Sequence, residues 1–192
     1  MTNIVESVIG AVLAFFLPVW YKKWKDAKKI KSFNKALDVD TEIKRILAEV
    51  RAKYGFNRSS IVDYHNGTTS LGGFSFKNSS MRYEDCDEHT KYISMEFQNI
   101  PCSIVNDMLL RLERSEKGYV TATDDQNETL DEQSVITHRM YGIRQAYNFR
   151  IGSSLIYGCL SLISTNEKIR LSEDDILNIK AACQKIFLLR NK

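Results

Sequence analysis

The sequence predicts an α+β protein in which an antiparallel sheet carries helices on both faces and an apolar N-terminal helix precedes the folded domain. Apolar residues at helical spacing occur near residues 43–54 and again near residues 176–189. Between these two helices lie segments in which apolar and polar residues alternate, as is typical of strands. Several of these strand segments follow one another with short connections that contain glycine, which favours antiparallel pairing.

The N-terminal segment is the most apolar part of the chain, and its uncharged portion runs over fourteen residues, from Val8 to Tyr21. Residues 22–35 follow with seven lysines and one aspartate. A membrane-crossing helix needs about 20 apolar residues, and lysines are enriched on its cytoplasmic side. We therefore expect a single span that places the protein in the inner membrane with its C-terminal part in the cytoplasm. An interfacial or partner-packed helix and a helix buried in a core are the alternatives.

This expectation divides the chain into an anchor helix over residues 1–21, a basic juxtamembrane stalk over 22–37 and a folded domain over 38–192. Aromatic and basic side chains near the end of the apolar run are placed to contact membrane lipid. The predicted membrane residues are Phe15, Phe16, Trp20, Lys22, Lys23 and Trp24.

Charge and composition exclude several classes of function. The net charge is +3, and the lysine-rich segment supplies the excess, so nucleic acid is not an expected partner of the remaining chain. The four cysteines are widely spaced, and no two histidines have metal-ligand spacing, so we expect neither a metal nor another cofactor. The cysteines are expected to be reduced thiols in a cytosolic compartment.

The folded domain is predicted to begin with an amphipathic helix that starts near Asp40 and ends at Gly55. A final helix starts at Ser172, and acidic residues in its first turn lie at the positive end of its dipole. Between these helices the predicted strands are 58–66, 74–84, 118–123, 144–151 and 153–164, and the predicted helices are 101–117 and 133–141.

Residues 58–84 concentrate polar side chains in two predicted strands and their glycine-rich connection. His65 and Asn66 lie at the turn, and Glu84 lies at the end of the second strand. A histidine near carboxylates can act as an acid or base, or it can fix a turn by hydrogen bonding. We predict the second role and therefore no catalytic residue. Enzymatic activity through His65 and Glu84 is the alternative.

Two stretches carry a family resemblance. Residues 156–164, Ile-Tyr-Gly-Cys-Leu-Ser-Leu-Ile-Ser, form a glycine-containing apolar strand, and the following helix contains Leu171-Ser-Glu-Asp-Asp-Ile-Leu and Ala181-Ala-Cys-Gln-Lys-Ile. This ending resembles the closing strand and helix of GAF domains, the sensory relatives of PAS domains. The stretch from His65 to Glu84 is similar to a pattern in small GAF-like proteins of bacteria and their phages.

The resemblance covers about residues 38–190 and implies a ligand pocket between one face of the sheet and the helical middle of the domain. No cysteine stands at a convincing position for the bilin attachment that some GAF domains perform. An arginine that turned into such a pocket would favour an anionic ligand. The predicted ligand-binding residues are His65, Asn66, Phe76, Arg82, Glu84 and Tyr147.

The resemblance therefore implies a membrane-tethered sensory module that binds a small ligand or a protein partner without catalysis. GAF-like proteins often pair through their first and last helices, so a homodimer is expected. The alternative is a phage-encoded structural or host-interaction protein that uses the GAF-like fold as a protein-binding surface. A fold of this kind does not by itself select one function.

Overall fold

The protein is described by a computed structural model that covers residues 2–65, 77–104, 106–124, 132–152 and 158–191, without the side chains of residues 2–19, 106 and 132–134. Contacts divide the chain into two compact units, Met1–Thr41 and Glu42–Lys192. The helices are α1 (Thr2–Tyr54), α2 (Asn106–Arg114), α3 (Glu132–Met140) and α4 (Glu173–Arg190). The strands are β1 (Arg58–His65), β2 (Asn78–Cys86), β3 (Ile100–Pro101), β4 (Tyr119–Thr123), β5 (Gln145–Ile151) and β6 (Gly158–Ser164).

The predicted membrane location is wrong. No helix in the described part of the chain is long and apolar enough to cross a bilayer. The uncharged run of fourteen residues falls short of the roughly 20 that a crossing requires, and lysines follow it at once. Of the predicted membrane residues, Trp20, Lys22, Lys23 and Trp24 are exposed on α1. Phe15 and Phe16 lie outside the described side chains.

The sheet has six strands in the order β3-β2-β1-β6-β5-β4, and every neighbouring pair is antiparallel. This confirms the predicted α+β class with an antiparallel sheet. The short β3 was not predicted, because two residues carry no periodic signal. The predicted helix 101–117 is also shorter than expected, since a 3-10 turn at Cys102–Ile104 precedes α2.

Successive side chains of each strand point to opposite faces of the sheet, and different segments of the chain cover the two faces. Ile61, Phe149 and Leu160 lie on the first face, and each side chain is fully buried at 0% exposure. The second half of α1 approaches this face, since Ser59 Oγ donates to the carbonyl oxygen of Leu47 at 3.0 Å. Helix α4 contacts β5. Its buried residues are Ile176, Ile179, Cys183 and Ile186.

Local sequence signals set the C-terminal end of α1 and the start of α4, the two helices that cover the first face. Gly55 follows α1 with a φ of +75°, a left-handed conformation that glycine adopts without strain. Ser172 caps α4: its Oγ accepts from the backbone N–H of Asp175 at 3.2 Å, and Asp175 Oδ2 accepts from the backbone N–H of Ser172 at 3.0 Å. Both boundaries were predicted from these residues.

Candidate functional site

The second face of the sheet borders a cavity of about 340 Å³. Strands β1, β2, β5 and β6 contribute its floor, and residues 93–108 together with α3 contribute its walls. Cavities that bind small molecules commonly measure about 300–1,000 Å³ and are lined mainly by apolar side chains. The apolar lining residues include Val62, Met81, Ile93, Phe97, Ile100, Ile104, Met108, Ile143 and Ile163.

A row of three polar residues crosses the floor on adjacent strands. Ser60 of β1 pairs with Ser161 of β6, and Ser161 pairs with Asn148 of β5. Ser161 Oγ donates to Asn148 Oδ1 at 2.5 Å. Ser60 Oγ is buried and has no hydrogen-bond partner. A buried hydroxyl without a partner costs about 1–3 kcal/mol, so this atom is a natural point of contact for a ligand.

A second buried polar atom without a partner belongs to His138, in the last turn of α3. His138 lines the cavity, and its Nδ1 makes no hydrogen bond. Burial lowers the pKa of this imidazole, and the nearby carboxylate of Asp124 opposes that shift. The neutral ring is therefore favoured, and its Nδ1 can accept or donate according to the tautomer.

Glu96 is the charged residue of the cavity lining, and its side chain is partly exposed. Its Oε2 accepts a hydrogen bond from the Tyr141 hydroxyl at 2.7 Å, and its Oε1 accepts from Lys91 Nζ at 2.9 Å. Both hydrogen bonds lower the pKa of the Glu96 carboxyl, and the bond from Tyr141 is the largest cause. The ring of Tyr141 also contacts Phe97, with 5.4 Å between centroids. Glu96 and Phe97 of one wall thus contact Tyr141, the residue that follows α3.

Glu84 holds one of these walls in place. Its carboxylate accepts backbone N–H bonds from Ile93 at 3.0 Å and from Ser94 at 2.7 Å. It also forms an ion pair with Arg58, whose Nε lies 2.8 Å from Oε1, and the two side chains are 1% and 3% exposed. Arg58 Nη2 donates to the carbonyl oxygen of Lys91 at 2.6 Å. Both charged groups are therefore committed to the backbone of the segment that carries Ile93, Glu96 and Phe97.

His65 lies at the far end of the β1–β2 ladder from Glu84, since it pairs with Asn78 whereas Glu84 pairs with Ser60. Its Nε2 is 2.8 Å from Ser80 Oγ, which accepts from the backbone N–H of Asn99 at 2.9 Å. Asn99 has a φ of +55°, so this contact supports a strained turn. The turn that the sequence predicts His65 to fix lies at residues 66–76, outside the described residues, so that role stays a prediction.

The other predicted ligand-binding residues also lie apart. Arg82 is exposed at an irregularity in the β1–β2 ladder. Tyr147 is buried on the first face of the sheet, where its ring meets Phe56 edge-on and its hydroxyl donates to the carbonyl oxygen of Ile169 at 3.1 Å. Asn66 and Phe76 fall outside the described residues. Among the described residues, His65, Arg82, Glu84 and Tyr147 are all absent from the cavity lining.

Sequence reasoning missed the polar row and His138. A signal was present for the row, because Ser60, Asn148 and Ser161 interrupt buried strands at positions that alternation assigns to one face. A polar residue at such a position is buried and needs a partner. His138 carried no comparable signal, since it is isolated in the sequence from every other polar residue of the cavity.

The cysteines offer no activated nucleophile to this site. None of the four lines the cavity, and burial raises the pKa of Cys102, Cys159 and Cys183. Tyr64 Oη lies against Cys159 at 3.3 Å beneath the cavity, and burial raises the pKa of this phenol as well. A thiol becomes reactive when its pKa falls, so these groups act as packing atoms. Among the described residues, no cluster of histidine, cysteine and carboxylate side chains has the arrangement of a metal site.

Comparison with solved structures shows that this is the fold of GAF domains. The chain is similar to the blue-light-absorbing form of the PixJ GAF domain of Thermosynechococcus elongatus, with 14% identity and a TM-score of 0.63 over 81% of this chain and 86% of that one. It is also similar to a phycoerythrobilin-bound GAF domain of a cyanobacterial phytochrome, with 14% identity and a TM-score of 0.64 over 85% and 91% of the two chains.

A phycocyanobilin-bound GAF domain of a cyanobacterial phytochrome matches with 15% identity and a TM-score of 0.63, over 83% of this chain and 87% of that one. No protein-family model matches the sequence, and no curated protein matches it either. At identities this low the likeness shows the fold, and the predicted GAF-like fold is confirmed.

Proposed function

We propose that this chain is a sensory module that binds a small ligand in the cavity beside Ser60 and His138 and has no catalytic activity of its own. The observation that carries the proposal is the cavity itself, whose lining includes two residues, Ser60 and His138, that each have a buried side-chain polar atom without a hydrogen-bond partner. Natural proteins rarely leave such atoms unpaired, and a bound molecule can supply the missing bonds. The structural neighbours that hold phycoerythrobilin and phycocyanobilin support a ligand-binding role for this fold.

The output of such a module is a change in a protein contact. Ligand binding would stabilise the wall segment 93–108 and α3, because Tyr141, the residue after α3, bonds to Glu96 of that segment. A second copy of the chain is one candidate partner, and light scattering with and without ligand measures whether occupancy changes the assembly. The enzymatic alternative loses support because His65 and Glu84 lie at opposite ends of the β1–β2 ladder and share no site.

The phage-encoded structural role would require a cavity filled by the protein's own side chains. Phe74 and Tyr147 are large side chains of predicted strands that could fill it. Tyr147 lies on the other face of the sheet, and Phe74 lies outside the described residues. No observation therefore favours that alternative over ligand binding.

Thermal unfolding of the full chain in the presence of a metabolite library tests the proposal. A ligand that binds only the folded state raises Tm in proportion to its concentration above its Kd. We expect at least one compound to raise Tm in the wild-type chain and to lose this effect in Ile104→Trp, where a larger ring occupies the cavity. Ile136→Trp is the matched control, since Ile136 is similarly exposed but does not line the cavity. Absence of any saturable ligand would refute the proposal.

A further inference from the structure

The charges around the cavity restrict the ligand that it can hold. None of the described lining residues is a lysine or an arginine. The single carboxylate of the lining, Glu96, already forms an ion pair with Lys91 at 2.9 Å. A carboxylate or phosphate moved from water into an apolar cavity needs a cation or several N–H donors to replace its hydration.

The arginines on or beside the sheet strands contact other groups or are exposed outside the lining. Arg150 Nη2 donates to the carbonyl oxygens of Leu112 at 2.5 Å and Glu113 at 2.6 Å. Arg144 Nη1 donates to the carbonyl oxygen of Asn166 at 3.0 Å. Arg58 is paired with Glu84, and Arg82 is exposed outside the lining. An anionic ligand was expected if an arginine turned into the pocket. None of the described lining residues is an arginine.

Besides Glu96, the lining holds uncharged polar groups that belong to the floor of the cavity and to α3. Ser60, Ser161 and Asn148 form a row across three strands, which are spaced about 4.8 Å apart. Because Asn148 Oδ1 accepts from Ser161, the Asn148 amide nitrogen remains a donor for another acceptor. Ser60 Oγ can donate or accept, and so can the neutral His138 ring across the cavity. Hydroxyl and carbonyl groups match this set.

We infer that the cavity binds an uncharged, mainly apolar small molecule whose hydroxyl or carbonyl group meets the Ser60–Ser161–Asn148 row. The inference rests on the proposed function, since it names the chemistry of the ligand for the same site. The apolar part of the molecule packs between Ile93, Phe97 and Met108, which are apolar residues of the lining. The cavity volume of about 340 Å³ lies at the small end of the range for ligand sites and selects a compact molecule.

Two dyes that share one ring system measure the preference for charge. N-phenyl-1-naphthylamine is uncharged, and 8-anilino-1-naphthalenesulfonate adds a sulfonate to the same rings. In fluorescence titrations of the full chain we expect the uncharged dye to saturate one site and the sulfonate to bind at least about tenfold more weakly, because its charge is not replaced by a partner in the cavity. Ile104→Trp should abolish binding of the uncharged dye, and Ile136→Trp should preserve it.

Displacement of the uncharged dye by naphthalene and by 2-naphthol tests the polar row. We expect 2-naphthol to compete several-fold better in the wild-type chain and to lose this advantage in Ser60→Ala, which removes only the unpartnered hydroxyl. Equal competition by the two molecules in the wild-type chain would overturn the role of the row.

The failures of the two proposals are distinguishable. If both dyes bind with equal affinity at a site that Ile104→Trp removes, the inference that the ligand is uncharged is wrong. The proposed ligand-binding cavity would still stand. Failure of both dyes and of 2-naphthol to bind saturably, or dye binding that Ile104→Trp leaves unchanged, would overturn the proposed cavity function and the inference with it.

Discussion

Adjacent residues of one strand point to opposite faces of the sheet, and the two faces have different surroundings. Ile61, Phe149 and Leu160 are fully buried in a packed layer on the first face. One position earlier or later, Ser60, Asn148 and Ser161 border a cavity of about 340 Å³ on the second face. A packed face contributes stability through burial of apolar area, whereas a face that keeps a cavity and an unpaired hydroxyl gives up part of that stability. The difference separates residues that stabilise the fold from residues available to a ligand.

The wall of the cavity depends on a buried ion pair, so the largest predicted effect is that of Glu84→Gln. This change leaves the Arg58 guanidinium buried without a countercharge and weakens the bonds to Ile93 and Ser94. We expect the free energy of unfolding to fall by about 3–5 kcal/mol, measured by urea denaturation. Glu49→Gln is the control, since its side chain is exposed and ion-paired with Arg45. Similar losses in both variants would contradict the role assigned to Glu84.

The neighbours Ser60 and Ile61 compare the two faces directly. Ile61→Ala removes fully buried apolar atoms from the packed face, and we expect a loss of about 2–5 kcal/mol in the free energy of unfolding. Ser60→Ala removes an unpartnered hydroxyl, so its stability should stay within about 1 kcal/mol of wild type or rise. Denaturant midpoints of the two variants give the comparison. A large loss in Ser60→Ala would show that this hydroxyl has a partner in solution.

His138 makes the cavity face sensitive to pH. Because burial lowers the pKa of His138 in the folded state, the unfolded chain binds a proton more readily, and stability rises with pH in the range between the two pKa values. The stabilising contribution is present above the unfolded value of about 6.5 and is lost as pH falls below it. We expect the free energy of unfolding to fall less steeply between pH 7 and pH 5 in His138→Asn than in wild type.

The control for this pH dependence is His89→Asn, because the His89 side chain is 85% exposed. Its profile should follow that of the wild-type chain. A wild-type slope in His138→Asn would mean that other groups account for the acid sensitivity.

The smallest predicted effect concerns the contact between the cavity walls. Tyr141→Phe removes the hydrogen bond from the Tyr141 hydroxyl to Glu96, which is the main cause of the lowered pKa of that carboxyl. We expect the pKa of Glu96 to rise toward its usual value, as measured by NMR titration of the side-chain carboxyl carbon. Lys91→Ala should also raise this pKa, because it removes a hydrogen bond and a positive charge that both favour the carboxylate. An unchanged pKa in Tyr141→Phe would show that the walls do not meet through this bond.

Much of the fold was predictable because it depends on local patterns. Alternation within β1 separates Ile61 from Val62, and alternation within β6 separates Leu160 from Cys159. The pairing of Ile61 with Leu160 and of Val62 with Cys159, which brings each pair to one face, was seen only in the structure. The candidate site was less predictable. Glu84 and His65 were predicted as site residues because both are polar and lie in the stretch 58–84. Glu84 instead bonds to backbone N–H groups nine and ten residues away. The prediction of membrane insertion was wrong because it combined an apolar run that is too short to cross a bilayer with the lysines that follow that run.

The sequence by itself determined the class of fold, the C-terminal end of α1, the start of α4 and the alternation of side chains along most strands. Those features follow from spacing, capping and glycine, which act within a few residues of one another. The sequence did not determine the start of α1, which was predicted near Asp40 but lies at Thr2. Only the tertiary structure decided that one face is filled and that the other retains a cavity, because the space left between a sheet and its cover depends on where distant segments pack. It also decided that Ser60 Oγ and His138 Nδ1 lack partners, since a hydrogen bond requires two atoms to meet and the sequence shows only one of them.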